Sequence, residues 1–564
     1  MIEIITINGV SLDLDPEGTF EIEMEQPLLD TEAVPVPYST AISFLPSHKN
    51  CNEFGYIPAL MMEPSKNSII ADIYVNGFKL MSGILIYESI DEGFVKYNFA
   101  AKDSITKLES KDISENNFLG YITPRSPDGN YQQIRDNMHD KIKAPTLINK
   151  SAVMTTIQSN PKDPNLIVEV PIRYHNFPGD YDSLFTPAVR LYDFLIDEFG
   201  SGLTIDDDIL QDLQKIYMIC PYKPTATSAP NGFGIIIPMN ETLPKINKLE
   251  LFKNLAKIFG AAFYKDGEKF RLKRAGRILS SAPVVDWSDK ISDEFSSRPE
   301  TPKKYILKFE DDSSDNAYNM NDLASDLEDG DILNKSSYYN IFRTNVYAGE
   351  KSYTLLHTPT GDIFSVFHAL TADKRYSDPP IMADSVLRAC NNVDATESDD
   401  DTFDNSISMT VVRPVPDTII DESGSVLDLI VAPLITPPSI GEERGSMVLI
   451  GIISDGQMTD KGFIPVPTAD SDVFGVPIFQ DKDLGFSLDP TRLLEKYHSE
   501  FAAWLEKRRQ VVTVDLKLTT KDIASFRMYQ KIYFKGREWI PLKISVSVNV
   551  ASGSIDASGD FISV

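Results

Sequence analysis

The chain has few cysteine and histidine residues for its length. Its 564 residues include three cysteines, Cys51, Cys220 and Cys390, which are far apart and form no CxxC pair. An odd number of scattered cysteines predicts buried, reduced thiols and no disulfide framework, as in a chain that folds in a reducing cytosol. The six histidines form no HExxH or HxH pair, so we expect neither a metal site nor a cofactor.

Long apolar runs are missing as well. The run from Met447 to Ile453 is far shorter than the roughly 20 residues that cross a bilayer. The first ten residues, MIEIITINGV, have an acid at position 3 and no basic region before an apolar run, so a cleaved secretion signal is not expected. The sequence therefore predicts a soluble protein without a membrane anchor.

Basic residues are in the minority. Lys and Arg total 54 against 83 Asp and Glu, and the formal net charge is −29. Non-specific affinity for DNA comes from Lys and Arg side chains that release counterions, and a surface of the opposite sign repels the phosphates. The balance argues against a protein that grips DNA. It permits a surface past which DNA slides without binding.

Catalytic motifs are not found. There is no GxSxG sequence, and Gly349-Glu350-Lys351-Ser352 lacks the glycine that directly precedes the lysine of a phosphate-binding loop. Two carboxylates could hydrolyse a glycosidic bond, but among 83 acidic residues a pair carries almost no information. Calcium ligands are plentiful between Asp311 and Asp331, although Gly330 is out of register for an EF-hand. A solvated acidic loop and a calcium site both stay open there.

Residues 1 to 110 have the patterns of antiparallel strands. From Thr19 to Glu25 the residues alternate, with Phe20, Ile22 and Met24 on one face and Glu21, Glu23 and Glu25 on the other. Hairpin turns are predicted at Asn76-Gly77 and around Asp91-Glu92-Gly93. This alternation makes Glu21, Glu23 and Glu25 one acidic row on a strand that is half buried.

The middle of the chain contains a compact helix and hairpin. Apolar residues at three- and four-residue spacing predict a helix from Leu249 to Phe259, and Gly260 supplies its left-handed C-terminal cap. Asp266-Gly267 then predicts a tight turn between two strands. A second helix is predicted from Pro187, with Thr186 as its N-cap, to Gly200.

Composition and patterning divide the chain into five regions. Residues 1–110 form an N-terminal β domain, 111–185 a peripheral loop-rich region with its best strand at Leu166–Val170, and 186–310 the helix and hairpin region. Residues 311–485 form an acidic insertion, rich in proline toward its end. Residues 486–564 form a helix, introduced by Asp489-Pro490, and a second β domain.

Three segments together resemble one known family. They are FEIEMEQPLLDTEAVPVPYSTAISFLPSHKN (Phe20–Asn50), the stretch INKLELFKNLAKIFGAAFYKDGEKFRLKR with the later DWSDKISDEF (Ile246–Phe295), and LTTKDIASFRMYQKIYFKGREWIPLKISVSV (Leu518–Val548). In their order and spacing they are similar to tail-tip or baseplate hub proteins of tailed bacteriophages. The resemblance covers about a third of the chain, and the insertion at 311–485 departs from it most.

The resemblance implies an α+β fold that is mainly antiparallel β. In it, two tube-like domains of β-barrel type are braced by short helices and carry a peripheral insertion. It further implies a structural, non-enzymatic subunit of a homotrimeric ring in the virion tail tip, assembled in the host cytoplasm. The ring would join the tail tube or a distal tail protein to a central spike or fibre, and DNA would pass through it without specific binding.

Two questions remain open at the level of sequence. Under this interpretation Glu21, Glu23 and Glu25 face the lumen of the ring, but a solvated outer face of an ordinary strand is equally compatible with alternating glutamates. The other function classes are a tail-associated hydrolase of cell wall or glycan, with its site in 311–485, and a glycan-binding adhesion protein.

Overall fold

The structure is a computed structural model, and it describes the chain in separate stretches. These are residues 2–29, 34, 37–56, 63–91, 93–101, 108–115, 119–122, 141–143, 148–160, 163–175, 187–222, 227–228, 235–266, 269–282, 284–309, 338–347, 350–357, 363–369, 392–393, 402–411, 414–420, 426–435, 444–452, 458–459, 462–463, 486, 488 and 490–564.

Strands dominate the described residues. Up to residue 175 they are β1 (Ile2–Thr6), β2 (Thr19–Glu25), β3 (Tyr38–Ser39), β4 (Ile42–Phe44), β5 (Ser68–Val75), β6 (Phe78–Asp91), β7 (Phe94–Ala101), β8 (Tyr121–Ile122), β9 (Ile142–Lys143), β10 (Ile148–Asn160) and β11 (Asp163–His175). From there to residue 309 they are β12 (Ala188–Arg190), β13 (Leu203–Ile205), β14 (Ile216–Ile219), β15 (Thr227–Ser228), β16 (Ile235–Pro238), β17 (Ala261–Asp266), β18 (Lys269–Arg274), β19 (Val284–Asp286), β20 (Ile291–Glu300) and β21 (Lys304–Phe309).

The remaining strands belong to the predicted insertion and to the C-terminal region. Within 311–485 they are β22 (Tyr338–Tyr347), β23 (Glu350–His357), β24 (Ile363–Ala369), β25 (Asn392–Val393), β26 (Thr402–Ile407), β27 (Thr410–Val411), β28 (Pro414–Ile420), β29 (Val426–Ile435), β30 (Leu449–Ile452), β31 (Met458–Thr459) and β32 (Gly462–Phe463). After it come β33 (Arg509–Leu516), β34 (Lys531–Phe534), β35 (Arg537–Asn549) and β36 (Ile555–Ser563).

The described helices are short. They are α1 (His48–Phe54), α2 (Leu191–Phe199), α3 (Asp207–Leu213), α4 (Lys248–Ile258), α5 (Ala275–Ser281), α6 (Pro490–Leu493), α7 (Ser499–Leu505) and α8 (Thr520–Ser525), with a π turn at Leu494–His498 between α6 and α7. None of them is long and apolar enough to cross a membrane. The described chain is therefore mainly antiparallel β with several short helices, as the α+β prediction states.

One sheet contains strands from both ends of the chain. It has 13 strands, and its main path runs β1-β5-β6-β7-β3-β2-β35-β36-β33-β20. The two ends meet where β2 pairs antiparallel with β35, from Thr19 opposite Asn549 to Glu25 opposite Lys543. The regions 1–110 and 486–564 thus share one sheet, while the domain boundaries themselves stay a prediction.

The N-terminal strands curl back on themselves. Beyond β1, the Leu12 N–H donates to the Ile4 carbonyl at 2.8 Å, and the segment that follows bridges to β4 through Leu14 and Phe44. Strand β4 in turn pairs with β7. The turn between β5 and β6 is the predicted one, with positive φ at Asn76 (50°) and Gly77 (80°), because such a two-residue turn matches the twist of its strands.

Two large hydrophobic cores lie under these elements, with a small third cluster around Tyr217 and Ile219. One is shared by the N-terminal and C-terminal strands and includes Phe20, Ile22, Val546 and Val548, each at most 3% exposed. The other packs the middle helices against the C-terminal helix and β21. Residues more than 500 positions apart are buried together in the first core. The apolar side chains of the N-terminal sheet therefore depend on the C-terminal strands for their burial.

The predicted central helix is confirmed with small shifts at its ends. It spans Lys248–Ile258, is capped by the Asn247 side chain, and leaves Phe259 as its C-terminal cap residue, while Gly260 has the expected positive φ of 53°. Phe259 is fully buried. The hairpin that follows is also confirmed, but Asp266 belongs to the strand opposite Lys269, and residues 267–268 lie outside the described chain.

The helix predicted from Pro187 begins four residues later. Ala188–Arg190 form strand β12 and pair with Ile219–Tyr217, so the chain stays extended until Leu191. Pro187 contributes its carbonyl to the Cys220 N–H at 2.9 Å instead of opening the helix. The C-terminal end of the helix is as predicted, because Phe199 is its last residue and Gly200 has a φ of 50°.

Two other regions differ from the patterns predicted for them. Leu166–Val170 lies inside β11, a 13-residue strand that pairs with the equally long β10, so this part of 111–185 is a long hairpin. The C-terminal helix starts at Pro490 but is interrupted by the π turn. That turn buries Tyr497 and His498 completely.

His498 joins the middle of the chain to the C-terminal helix. Its Nε2 lies 3.0 Å from the Ile258 carbonyl oxygen and its Nδ1 lies 2.7 Å from the Tyr305 hydroxyl. A carbonyl only accepts, so Nε2 carries the proton and Nδ1 accepts from Tyr305. An added Cβ at Gly260 would lie 2.6 Å from His498 Nδ1, which explains why a glycine follows the helix here.

We predict that Gly260→Ala destabilises the protein more when His498 is present than in the His498→Ala background. Gly260 has a φ of 53°, so alanine carries backbone strain in both backgrounds. Only when His498 is present does the new methyl meet the imidazole ring, 2.6 Å from Nδ1. Urea unfolding should show an extra loss of about 1–3 kcal/mol for Gly260→Ala in the chain that retains His498. Equal losses in the two backgrounds would contradict the role of the His498 contact.

Stability should also fall between about pH 7 and pH 5 because of His498. Burial lowers the pKa of His498 from 6.5 to about 4. As the pH falls, His498 is therefore protonated in the unfolded chain before it is protonated in the folded chain. The free energy of unfolding falls by about 2 kcal/mol over that interval. Urea unfolding at both pH values checks this, and His498→Gln should remove that part of the pH dependence. An unchanged slope in His498→Gln would show that other groups cause it.

Candidate functional site: an acidic sheet face

Strand β2 places its glutamates on one face of the large sheet. Phe20 and Ile22 are buried in the core, and Glu21 and Glu25 are exposed, whereas Glu23 and Met24 are half-buried. The predicted alternation is therefore confirmed. The burial of Phe20 and Ile22 fixes the outward direction of the acidic row, because a shift of one residue in pairing would turn both side chains to solvent.

The C-terminal strands extend this face. Glu21 lies opposite Ser547, Glu23 opposite Ser545, and Glu25 opposite Lys543 on β35. The next strands continue the same rows, since residues that pair directly share a face. The added outward residues are Asp556, Ser558 and Asp560 on β36 and Thr513 and Asp515 on β33.

The acidic sheet face, as we call this surface, carries six carboxylates and one ammonium group. The carboxylates are those of Glu21, Glu23, Glu25, Asp515, Asp556 and Asp560, and the ammonium group is that of Lys543. Small hydroxyl side chains fill most of the positions between them. The surface is thus strongly negative.

Glu23 is the best-partnered carboxylate of the face. Lys543 Nζ lies 2.6 Å from its Oε2, and the Tyr38 hydroxyl on β3 donates to the same oxygen. These hydrogen bonds, first from Lys543 and then from Tyr38, hold the pKa of Glu23 below its ordinary value. Lys543 is also 3.8 Å from Glu25 Oε1. One lysine therefore pairs with two of the three glutamates of the predicted acidic row.

The contributions of β33, β35 and β36 were missed by sequence reasoning. Alternation was visible in β33, because Thr513 and Asp515 alternate with Val512, Val514 and Leu516 as Glu21 and Glu23 alternate with Phe20, Ile22 and Met24. Periodicity assigns each strand two faces, but it does not tell which strands are neighbours. Only the pairing of β2 with β35 brings the second set of carboxylates beside the first.

The thiols and metal ligands do not form a site in the described chain. Cys51 is half-buried and Cys220 is buried, both are free, and burial raises the pKa of the Cys220 thiol to about 12. No group of three or more His, Cys, Asp or Glu residues in the described stretches has metal-binding geometry. Cys390 and the acidic run Asp311–Asp331 lie outside them, so the calcium question is untouched.

A pocket lies beside the cap of helix α4. It has about 480 Å³ of empty space, solvent at its mouth included, and lies between Gly260, Phe263, Tyr305, Asn405 and Phe501. Its described lining contains two lysines and no carboxylate. Acid and base catalysis of glycoside hydrolysis requires two carboxyl groups, so the described lining does not provide that chemistry.

Comparison with known proteins gives distant likenesses only. No protein family matches the chain, and no curated protein matches it. Among solved structures, the chain is similar to a 43 kDa tail protein of prophage MuSo2 from Shewanella oneidensis, at 9% identity and a TM-score of 0.32, over 99% of this chain and 97% of that one. It is also similar to a tail protein from Neisseria meningitidis MC58, at 8% identity and a TM-score of 0.30, over 100% of this chain and 96% of that one. Likenesses of this size do not define a shared fold or function.

The partnership of Lys543 and Glu23 can be tested by titration. We expect Lys543→Met to raise the pKa of Glu23, because the largest of the hydrogen bonds that lower it is lost. Carboxyl-labelled NMR would follow the titration, and Lys517→Met, which removes an exposed lysine at the end of β33, is the matched control. A Glu23 pKa that does not move in Lys543→Met would show that the ion pair does not form in solution.

Proposed function

We propose that this chain is a structural subunit of a bacteriophage tail tip, and that a trimeric ring of it lets DNA pass between the tail tube and a central spike or fibre. The observation that carries the proposal is the acidic sheet face. Two of its four strands, β2 and β35, lie in two of the three segments that resemble hub proteins, Phe20–Asn50 and Leu518–Val548.

The chemistry of this face suits a surface that DNA passes without binding. DNA gains affinity when cations of a protein replace its counterions, and here one lysine stands among six carboxylates and is engaged with two of them. Hydroxyl groups between the carboxylates keep the surface hydrated. Charge effects reach about 8–10 Å at physiological salt, so the repulsion acts on DNA that moves close to the wall.

The sheet itself suits a ring. In this proposal the curled N-terminal strands and the C-terminal strands β33 to β36 serve as the two tube-like parts of one subunit. The two parts join where β2 pairs with β35. Three copies would then offer six similar parts to a hexameric tube above and threefold symmetry to a spike below. The middle helices brace these parts through contacts such as that of His498 with Ile258.

The proposal assigns the chain no enzymatic activity, and it places the protein in the virion after assembly in the host cytoplasm. Its direct test is the mass of the purified chain in solution, together with a symmetry-resolved image of the particle that contains it. A protein that is a stable monomer both alone and inside the particle would refute the ring. Hydrolysis of purified peptidoglycan or host polysaccharide, abolished by one carboxylate substitution, would favour the hydrolase instead.

The acidic sheet face can be tested by reversing its charge. We expect the combined variant Glu21→Lys, Glu23→Lys and Glu25→Lys to assemble nearly as well as wild type, since all three side chains point away from the core. It should retain double-stranded DNA at low salt and, in the virion, slow genome ejection. Added salt should relieve both effects because the new attraction is screened.

A matched control separates the face from net charge. Asp197, Glu109 and Glu506 are exposed acids elsewhere on the described chain, and their replacement by lysine changes the net charge equally. We expect virions that carry this control variant to eject DNA at the normal rate. Normal ejection at low salt in the Glu21, Glu23 and Glu25 variant would leave the acidic row as a solubility feature only.

A further inference from the structure

Arg509, the first residue of β33, is a buried cation with unsatisfied hydrogen-bond donors. The residue is only 4% exposed. Its guanidinium carbon lies 4.6 Å from the centre of the Trp504 ring, and its Nη2 donates to the Thr301 carbonyl at 3.0 Å. Its Nε and Nη1 have no hydrogen-bond partner among the described residues. Two of the three guanidinium nitrogens therefore lack an acceptor.

A guanidinium in this environment needs an anion. Arginine stays protonated in proteins, and a buried charge is costly unless other groups pair with it and accept its hydrogen bonds. Burial accordingly lowers the pKa of Arg509. The attraction to the Trp504 ring is electrostatic and supplies no acceptor oxygen. Buried polar groups in native proteins nearly always have a hydrogen-bond partner, so the unsatisfied Nε and Nη1 indicate a missing acceptor.

Glu300 is the acid best placed to pair with Arg509. It lies opposite Arg509 in the pairing of β20 with β33, so the two side chains share a face of the sheet. Its charge opposes the effect of burial on the pKa of Arg509. No hydrogen bond joins Glu300 to Nε or Nη1, however, because neither nitrogen has a partner in the described chain. The acceptor for these two groups must therefore come from elsewhere.

The surroundings of Arg509 are basic. Two chain segments, 298–304 and 506–509, meet there through the pairing of Glu300 with Arg509 and through the Lys303 N–H, which donates to the Leu505 carbonyl at 2.9 Å. Together these segments carry two carboxylates, those of Glu300 and Glu506, and six cations. The cations are Arg298, Lys303, Lys304, Lys507, Arg508 and Arg509. The local charge is thus positive in a chain whose net charge is −29.

We propose that Arg509 is the centre of a binding site for a compact oxyanion of the phosphate class. A phosphate group has at least three acceptor oxygens and up to two negative charges at neutral pH, so it can accept from both unsatisfied nitrogens and balance the cations around them. Hydrogen bonds between arginine and phosphate are among the strong ones in proteins because both groups are charged. This site goes beyond the proposed tail function and does not depend on the ring.

Equilibrium dialysis of the full chain against radiolabelled inorganic phosphate tests the site. At constant ionic strength we expect one phosphate to bind per chain, with a Kd below about 1 mM. Arg509→Met should weaken binding at least about ten-fold, because charge-assisted hydrogen bonds are lost. Arg444→Met is the matched control, since Arg444 also donates to backbone carbonyls, those of Asn240 and Leu243. It should bind phosphate as the wild type does.

Glu300→Gln provides a second test, with a result that misfolding cannot imitate. The substitution removes a negative charge that faces Arg509, so phosphate should bind about three- to ten-fold more tightly. Three results would overturn the site. They are the absence of saturable phosphate binding in the wild-type chain, unchanged binding in Arg509→Met, and binding in Glu300→Gln that is no tighter than in the wild type.

A short DNA duplex, added as a competitor, identifies the source of the phosphate group. The net charge of −29 repels a polyanion, so we expect the free ion to be the ligand and to stay bound when the duplex is added. Displacement of the labelled phosphate by the duplex would support the same site and assign it to the phosphates of a nucleic acid.

Discussion

The pairing of β2 with β35 is the contact on which the rest of the described structure depends. It joins residues more than 500 positions apart, from Thr19 opposite Asn549 to Glu25 opposite Lys543, and so unites both ends of the chain in one sheet. The loss of chain entropy in closing so long a loop grows only slowly with length, and the burial of Phe20, Ile22, Val546 and Val548 offsets it. Without this pairing the N-terminal sheet would lack a side of its core and the acidic sheet face would be halved.

A second long-range contact fixes the middle of the chain to the C-terminal helix. His498, buried in the π turn, bonds to the end of helix α4 and to Tyr305 while Gly260 leaves room for its ring. The imidazole is neutral there because burial disfavours its charged form. The contacts of His498 are therefore most stable at neutral pH. The same burial that keeps the imidazole neutral makes these contacts less stable in acid.

The outward surface of the sheet combines two kinds of chemistry. Carboxylates and hydroxyls occupy strands β2, β35, β36 and β33, and the apolar Ile70, Ile84 and Ile86 occupy β5 and β6. Lys543 relieves repulsion among the central carboxylates without reversing the sign of the surface. In the proposed ring the acidic part faces the passage. The predicted insertion, residues 311–485, contains strands β22 to β32, and its acidic run Asp311–Asp331 lies outside the described residues.

Local patterns in the sequence determined much of this structure, because they need only neighbouring residues to act. The alternation of Thr19–Glu25, the turn at Asn76-Gly77 and the helix ending before Gly260 were all predictable, since burial period and positive φ are properties of a few adjacent residues. The predicted start of helix α2 was wrong. Ala188–Arg190 pair with strand β14, and this pairing overrode the helix signal of Pro187. Tertiary structure alone decided that Lys543, Asp515, Asp556 and Asp560 join the glutamates of β2, because strand order and register depend on which distant apolar faces are buried together.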